Sequence, residues 1–166
     1  MRIAIVTVSD SAARGERTAD VSGDTIAAWA SDRGDAIVAR VTVADESTAI
    51  VRALLDACDR AHAELVLTTG GTGLSSRDVT PEATRAVIDR EAVGIADHLR
   101  VTAAGAFPRA VLSRGVAGVR GRSLVVNLPG SPGGVRDGLA ALDPVVAHAV
   151  AILHDATHDE GGTRGA

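Results

Sequence analysis

Residues 64–82 read ELVLTTGGTGLSSRDVTPE and contain a strand signal, a glycine-rich turn and a helix start in succession. The apolar and β-branched run over 64–69 predicts a buried strand. Pro81 and Glu82 are residues favoured in the first turn of a helix, so they predict that a helix begins there with Thr80 as its N-cap. A strand that passes through a short loop into a helix is the unit of an α/β fold.

The same unit recurs on both sides of this stretch. Further strands are predicted over 2–8, 36–43 and 123–128, and helices over 20–33, from Asp45-Glu46-Ser47 onward, over about 81–105 with Gly94 as a break, and over about 135–154. Asp45 or Ser47 would be the N-cap of its helix. This alternation predicts an α/β fold with a mainly parallel sheet in one domain, residues 1–154. Residues 155–166 have too little apolar surface to fold and are expected to be a disordered tail.

Composition excludes several classes of function. The chain has 166 residues, a formal net charge of −4, and arginine at all 17 of its cationic positions. The arginines are scattered and aromatic residues are almost absent, so no nucleic-acid surface is expected. Without lysine, neither a Schiff base nor a Walker-type phosphate loop is possible. The five histidines are also scattered, which argues against a transition-metal site.

The single cysteine and the N-terminus bear on the cellular compartment. Cys58 continues the apolar spacing of Ile50 and Leu54, which predicts a buried thiol with no disulfide within the chain. The N-terminal MRIAIVTVSD becomes polar too soon for a signal peptide, and no run of about 18 apolar residues predicts a membrane span. We therefore expect a cytoplasmic protein without a membrane partner.

Three polar segments follow predicted strands, at the edge where ligands of α/β proteins bind. They are Ser9-Asp10 after the first strand, TTGGTG at 68–73, and LPGSPGG at 128–134. The glycines at 70, 71 and 73 permit a nest of N–H groups for a phosphate, with threonine hydroxyls as extra donors. By themselves they are equally compatible with an ordinary turn, and they match neither the Walker nor the Rossmann pattern.

Two aspartates stand beside these segments, each with two possible roles. Asp78 lies with Arg77 in the loop ahead of the helix that begins near Thr80, so it is either a cap or a ligand. Asp45 follows the second strand and could also be a cap. Spacing does not decide between these roles.

In combination, these motifs resemble the Mog/MoaB family of molybdenum-cofactor proteins. The hallmark block TTGGTG-x-x-x-R-D-x-T-P-[DE] reads TTGGTGLSSRDVTPE at 68–82. Ser9-Asp10, Asp45-Glu46 and the turn NLPGSP at 127–132 match three further family motifs in the same order. The resemblance covers about residues 1–154. It implies a three-layer α/β/α fold, a homotrimer, and a pocket for molybdopterin and ATP.

The resemblance also implies an activity, in which AMP is transferred from Mg-ATP to the phosphate of molybdopterin and pyrophosphate is released. A molybdenum-insertion enzyme is the expected partner for the product. Asp45 and Asp78 are then the catalytic, Mg²⁺-holding acids, and which of them touches the metal is left open. The implied substrate-binding residues are Ser9, Asp10, Thr69, Gly70, Gly71, Thr72, Gly73, Arg77, Pro129, Gly130 and Ser131.

Two other functions remain compatible with the same residues. A non-catalytic carrier would bind molybdopterin in the glycine nest without turning over ATP. A nucleotide pyrophosphatase on the same fold, like the related domain of competence-damage proteins, would hydrolyse its nucleotide without any pterin.

Overall fold

A mixed sheet forms the centre of the molecule in the computed structural model, which describes residues 1–15 and 19–154. The sheet strands are β1 (Arg2–Val8), β2 (Ala36–Val43), β3 (Leu65–Thr69), β4 (Arg90–Glu91), β5 (Ala117–Arg120) and β6 (Ser123–Leu128). They are ordered β2-β1-β3-β6-β5-β4. β2, β1, β3 and β6 run parallel, whereas β5 and β4 are antiparallel to their neighbours. The prediction of a mainly parallel sheet is confirmed.

Helices cover both faces of this sheet. They are α1 (Asp10–Ala13), α2 (Val21–Asp32), α3 (Ser47–Leu55), α4 (Thr80–Arg85), α5 (Val93–Ala106) and α6 (Pro132–His154). A π-helical turn, Asp56–Arg60, continues α3, and a 3₁₀ segment, Pro108–Leu112, follows α5.

The core consists of two apolar layers, one on each face of the sheet. Because side chains alternate along a strand, Ile3 and Ile5 of β1 face one layer, whereas Ala4 and Val6 face the other. The first layer packs against α2, α5 and α6, and the second packs against α3, α4 and the π-helical turn. This is the three-layer α/β/α architecture that the family resemblance implies.

The chain order places a crevice at one point of the sheet. From β1 the chain crosses to β2 on one side and then returns to β3 on the other side. The helix that follows β1 and the helix that follows β3 therefore lie on opposite faces of the sheet. Neither helix covers the space between the carboxyl ends of these two strands. The loops that follow β1 and β3 therefore border a natural ligand crevice.

The helix predicted over 81–105 is wrong in its middle. α4 ends at Arg85, α5 begins at Val93, and the intervening residues reach the sheet as β4. The Asp89 N–H donates to the Val119 carbonyl over 2.7 Å, and the Ala92 N–H donates to Ala117 over 2.8 Å. These bonds to β5, a strand that the sequence did not predict, replace the helical bonds.

The predicted helix starts also need correction, because the side chains concerned bond elsewhere. Glu46, rather than Asp45 or Ser47, precedes α3, and it makes no capping hydrogen bond. Val79 precedes α4, and Thr80 instead donates its hydroxyl to the Gly70 carbonyl over 2.9 Å. Asp10 begins the short α1 rather than a loop. The tail prediction for 155–166 lies outside the described residues.

Among the described residues, α6 has the length and composition of a membrane span, with 23 residues and a mean hydropathy of 1.2 in its most apolar window. Its contacts are those of a core helix. Val135, Leu139, Leu142 and Val146 form a buried stripe at helical spacing that packs in the first apolar layer. Asp137 and Asp143 interrupt the apolar run.

We predict that α6 stabilises the fold through this stripe. Leu142 is fully buried, so Leu142→Ala should lower the free energy of unfolding by about 2–5 kcal/mol. The control is Ile152→Ala, because Ile152 lies on the same helix with 51% of its side chain exposed. That change should cost about 0.5 kcal/mol or less. Urea unfolding measures both, and equal losses would contradict the packing of α6 on the sheet.

Candidate functional site

Three loops meet at the carboxyl edge of β1, β3 and β6. The Thr69 hydroxyl donates to the Pro129 carbonyl over 2.7 Å, which ties the end of β3 to the turn after β6. The Ser22 hydroxyl donates to the Gly130 carbonyl over 2.9 Å, which adds the start of α2. The structure thus brings together the three segments that the sequence analysis singled out.

Glycine is required at two positions of the loop after β3. Gly70 has φ +101°, and a Cβ there would lie 2.2 Å from the Val8 carbonyl oxygen. Gly71 has φ +64°, and its Cβ would lie 2.4 Å from the Thr80 hydroxyl oxygen. Both conformations are unfavourable for residues with a side chain. The backbone of the loop therefore lies so close to neighbouring groups that there is no room for a side chain at these two positions.

Four successive N–H groups of this loop are available to a ligand. Within the described part of the chain, the N–H groups of residues 71–74 make no hydrogen bond. Successive free N–H groups in a glycine-rich turn favour the binding of an anion. The arrangement is thus that of a phosphate nest rather than of a turn closed by its own hydrogen bonds.

Two hydrogen bonds join Asp10 and Asp45 across the crevice, each from the backbone N–H of one residue to the carboxylate of the other. The Asp10 N–H donates to Asp45 Oδ2 over 2.8 Å, and the Asp45 N–H donates to Asp10 Oδ1 over 3.0 Å. Arg77 adds a bond of 2.6 Å from Nη2 to Asp10 Oδ2. These contacts fix two carboxylates and one cation beside the glycine loop.

The two paired acids have opposite pKa shifts. The hydrogen bond from Arg77, followed by the N–H of Asp45, lowers the pKa of Asp10. Burial raises the pKa of Asp45, and the negative charges of Asp10 and Asp78 raise it further. Asp45 is therefore held in a position that disfavours its own ionisation.

Asp78 lies against the glycine loop from the other side. Its Oδ2 accepts the Ser75 N–H over 2.8 Å, and a Cβ on Gly73 would lie 2.9 Å from that oxygen. In the described residues, Oδ1 of Asp45 and Oδ1 of Asp78 accept no hydrogen bond. The described residues contain no group of three or more His, Cys, Asp or Glu that could hold a metal alone. A metal here would need further ligands from water or a substrate.

Two cavities share the glycine loop, and Gly71 and Gly130 lie in the walls of both. The first has a volume of about 680 Å³ and extends over the apolar side of α5 and the 3₁₀ segment, with Phe107 in its wall. The second has a volume of about 740 Å³ and lies over β1 and the start of α2, with Ser9 and Asp45 in its wall. The two cavities therefore adjoin at the glycine loop.

Some predicted substrate residues also make hydrogen bonds within the loops of the site. Thr69 is 1% exposed, and its hydroxyl is already bonded to Pro129. Ser131 Oγ accepts the Gly134 N–H over 3.1 Å, as a cap at the start of α6. Asp10 and Arg77 bond each other. Thr72, Gly73, Pro129, Gly130 and Ser131 line the first cavity, and Thr69 lines the second.

The sequence analysis missed two polar residues of the site. Asp20 caps α2 and accepts the Thr7 hydroxyl over 2.7 Å in the wall of the second cavity. Its place at the start of the helix predicted over 20–33 was an available signal. Arg114 contacts the glycine loop from an irregular segment, where no local pattern could have identified it.

Comparison with known proteins gives the same family at the level of sequence and structure. Residues 4–148 match the family model described as a probable molybdopterin binding domain. A molybdopterin adenylyltransferase from Helicobacter pylori strain J99 is 42% identical over 111 residues, covering 67% of this chain and 63% of that relative. One from Escherichia coli K12 is 40% identical over 112 residues, covering 65% and 57%. The chain thus spans less than two thirds of the length of these curated relatives.

Among solved structures, the molybdopterin biosynthesis enzyme MoaB from Thermus thermophilus is similar over nearly its whole length. Its TM-score is 0.86 at 46% identity, covering 92% of this chain and 95% of that one. The family match spans the three loops of the site, and the resemblance to Mog and MoaB proteins is confirmed. The chain therefore belongs to the family of probable molybdopterin-binding domains.

Proposed function

We propose that this chain transfers AMP from Mg-ATP to the terminal phosphate of molybdopterin and releases pyrophosphate, in the cytoplasm. The observation that carries the proposal is the row of free N–H groups at residues 71–74, which begins at Gly71, where two cavities meet. Two phosphate-bearing substrates that react with each other need such a shared anion site. The names of the similar relatives support the same reaction.

The chemistry requires little from acid or base groups. An oxygen of the molybdopterin phosphate attacks the α-phosphorus of ATP, a new P–O–P bond forms, and the bond to pyrophosphate breaks with its electron pair leaving on pyrophosphate. Phosphate oxygens are already ionised at neutral pH, so no strong general base is needed. Alignment of the two phosphates and neutralisation of their charge then supply most of the rate.

The carboxylates at the nest fit a divalent cation. Asp45 and Asp78 would repel a polyphosphate, and each keeps one carboxylate oxygen without a hydrogen bond in the described residues. Mg²⁺ typically binds one or two protein carboxylates together with substrate phosphates. When bound, it would neutralise charge on the reacting phosphates. The chain's own part is to hold Asp45 through Asp10 and to present the free N–H groups.

The test is pyrophosphate release by purified protein with molybdopterin and Mg-ATP. We expect release only when both substrates and Mg²⁺ are present, and none after chelation. Pterin binding without release would favour a carrier. Release of pyrophosphate without pterin would favour a nucleotide pyrophosphatase.

We predict that the two acids act on the transfer step more than on binding. Asp78→Asn keeps size and removes the charge, so transfer at saturating ATP and Mg²⁺ should fall by about 10² or more, while molybdopterin still binds. Asp45→Asn should behave similarly. Asp56→Asn is the control, because Asp56 pairs with Arg60 away from the site. Steady-state rates measure all three, and wild-type rates in Asp78→Asn would contradict its assignment.

The opposite pKa shifts predict opposite effects on metal-free stability. Because the folded state raises the pKa of Asp45, its ionisation near neutral pH costs stability, so Asp45→Asn should raise the melting temperature. The folded state lowers the pKa of Asp10, so its ionised form stabilises the fold above its ordinary pKa, and Asp10→Asn should lower the melting temperature. Melting at pH 7 with chelator measures both. Equal signs would contradict this electrostatic assignment.

We further propose a homotrimer whose product passes to a molybdenum-insertion enzyme; this rests on the family resemblance. Light scattering of the full chain should give a mass of three protomers. A monomer would refute the assembly.

A further inference from the structure

Every nitrogen of the Arg114 guanidinium contacts the glycine loop or the segment that follows it. Nε donates to the Gly73 carbonyl over 2.7 Å, Nη2 donates to the Asp78 carbonyl, and Nη1 pairs with Glu82. The backbone N–H of Arg114 also donates to the Thr72 carbonyl over 2.8 Å. One residue from the segment before β5 thus holds three carbonyl groups and the start of α4.

These contacts orient two of the four free N–H groups, those of Gly73 and Leu74. In a trans peptide, the C=O of one residue and the N–H of the next point in opposite directions. Because the carbonyls of Thr72 and Gly73 face Arg114, the N–H groups of Gly73 and Leu74 face away from it. Thr72 and Gly73 line the first cavity, whereas Arg114 lines a different cavity, of about 410 Å³, together with Leu74 and Asp78. The guanidinium therefore lies behind the nest.

The same contacts fix Asp78. Its carbonyl is held by Arg114, and its carboxylate lies against Gly73, whose own carbonyl is also held by Arg114. The ion pair with Arg114 lowers the pKa of Glu82 and anchors the first turn of α4 to the same guanidinium. Arg114 thus links the nest, Asp78 and α4.

We infer that Arg114 is a positioning residue for the reaction, which keeps the 71–74 N–H groups and the Asp78 carboxylate in fixed relation to each other. It does so from behind the loop, by binding carbonyl oxygens rather than substrate. The inference rests on the proposed adenylyl transfer for its kinetic consequence. Its structural consequence, order in the loop, does not depend on that function.

The kinetic test compares Arg114→Met, Arg114→Lys and Arg85→Met. A misplacement of about 1 Å costs about 100-fold in rate, so Arg114→Met should lose about 100-fold in kcat with a much smaller change in KM for ATP. Arg114→Lys keeps the charge but lacks the fork of donors, so it should recover only part of the rate. Arg85→Met is the matched control, since Arg85 pairs with Glu91 over 2.6 Å outside the site. It should keep wild-type kinetics.

The structural test is hydrogen exchange in the ligand-free chain, which separates this inference from the proposed function. Arg114→Met should lose protection at the bonded N–H groups of Ser75, Asp78 and Thr80, and it should bind inorganic pyrophosphate with Mg²⁺ more weakly. If the wild type shows no transfer but Arg114→Met loosens the loop, the proposed function fails and the positioning role stands. Unchanged exchange, or losses in Arg85→Met equal to those in Arg114→Met, would overturn the positioning role.

Discussion

The site depends on the backbone packing of Gly70 between the end of β1 and the turn after β6, and of Gly71 against Thr80 and Val8. A Cβ on Gly70 would meet the Val8 carbonyl at 2.2 Å, and a Cβ on Gly130 would lie 3.2 Å from the Gly70 Cα. Side chains are therefore excluded where the two cavities meet. The parallel sheet contributes by ending β1, β3 and β6 at the same edge, so that three separate loops can share one position.

This packing also explains why polar side chains around the loop divide into two kinds. Thr69, Thr80 and Ser22 bond carbonyl oxygens of the loops and thereby satisfy backbone groups that leave regular structure. Asp45 instead carries a charge that its surroundings oppose, since burial raises its pKa. The first kind holds the loops in place, whereas the ionised form of Asp45 is disfavoured and would be stabilised by a nearby cation.

The sequence predicted four strands of the fold well, because β1, β2, β3 and β6 are continuous runs of apolar or β-branched residues. It did not predict β4 or β5. β4 consists of two exposed residues, and β5 contains Gly118, so neither has the hydrophobic pattern typical of a strand. Both are strands because they pair with neighbouring strands of the sheet. Likewise, the glycines and acids of the site were recognisable as motifs. The hydrogen bonds between Asp10 and Asp45 join residues 35 positions apart, and Arg114 meets its partners only in the folded chain. No local sequence pattern could therefore reveal these contacts.

The central claim is that the nest at residues 71–74 joins two phosphate-bearing substrates. The most direct measurement follows the α-phosphate of ATP, labelled with ³²P, during incubation of the protein with Mg²⁺ and molybdopterin. The account predicts that the label appears on the pterin, in an amount equal to the pyrophosphate released. Label recovered as free AMP, with the pterin unlabelled, would contradict it.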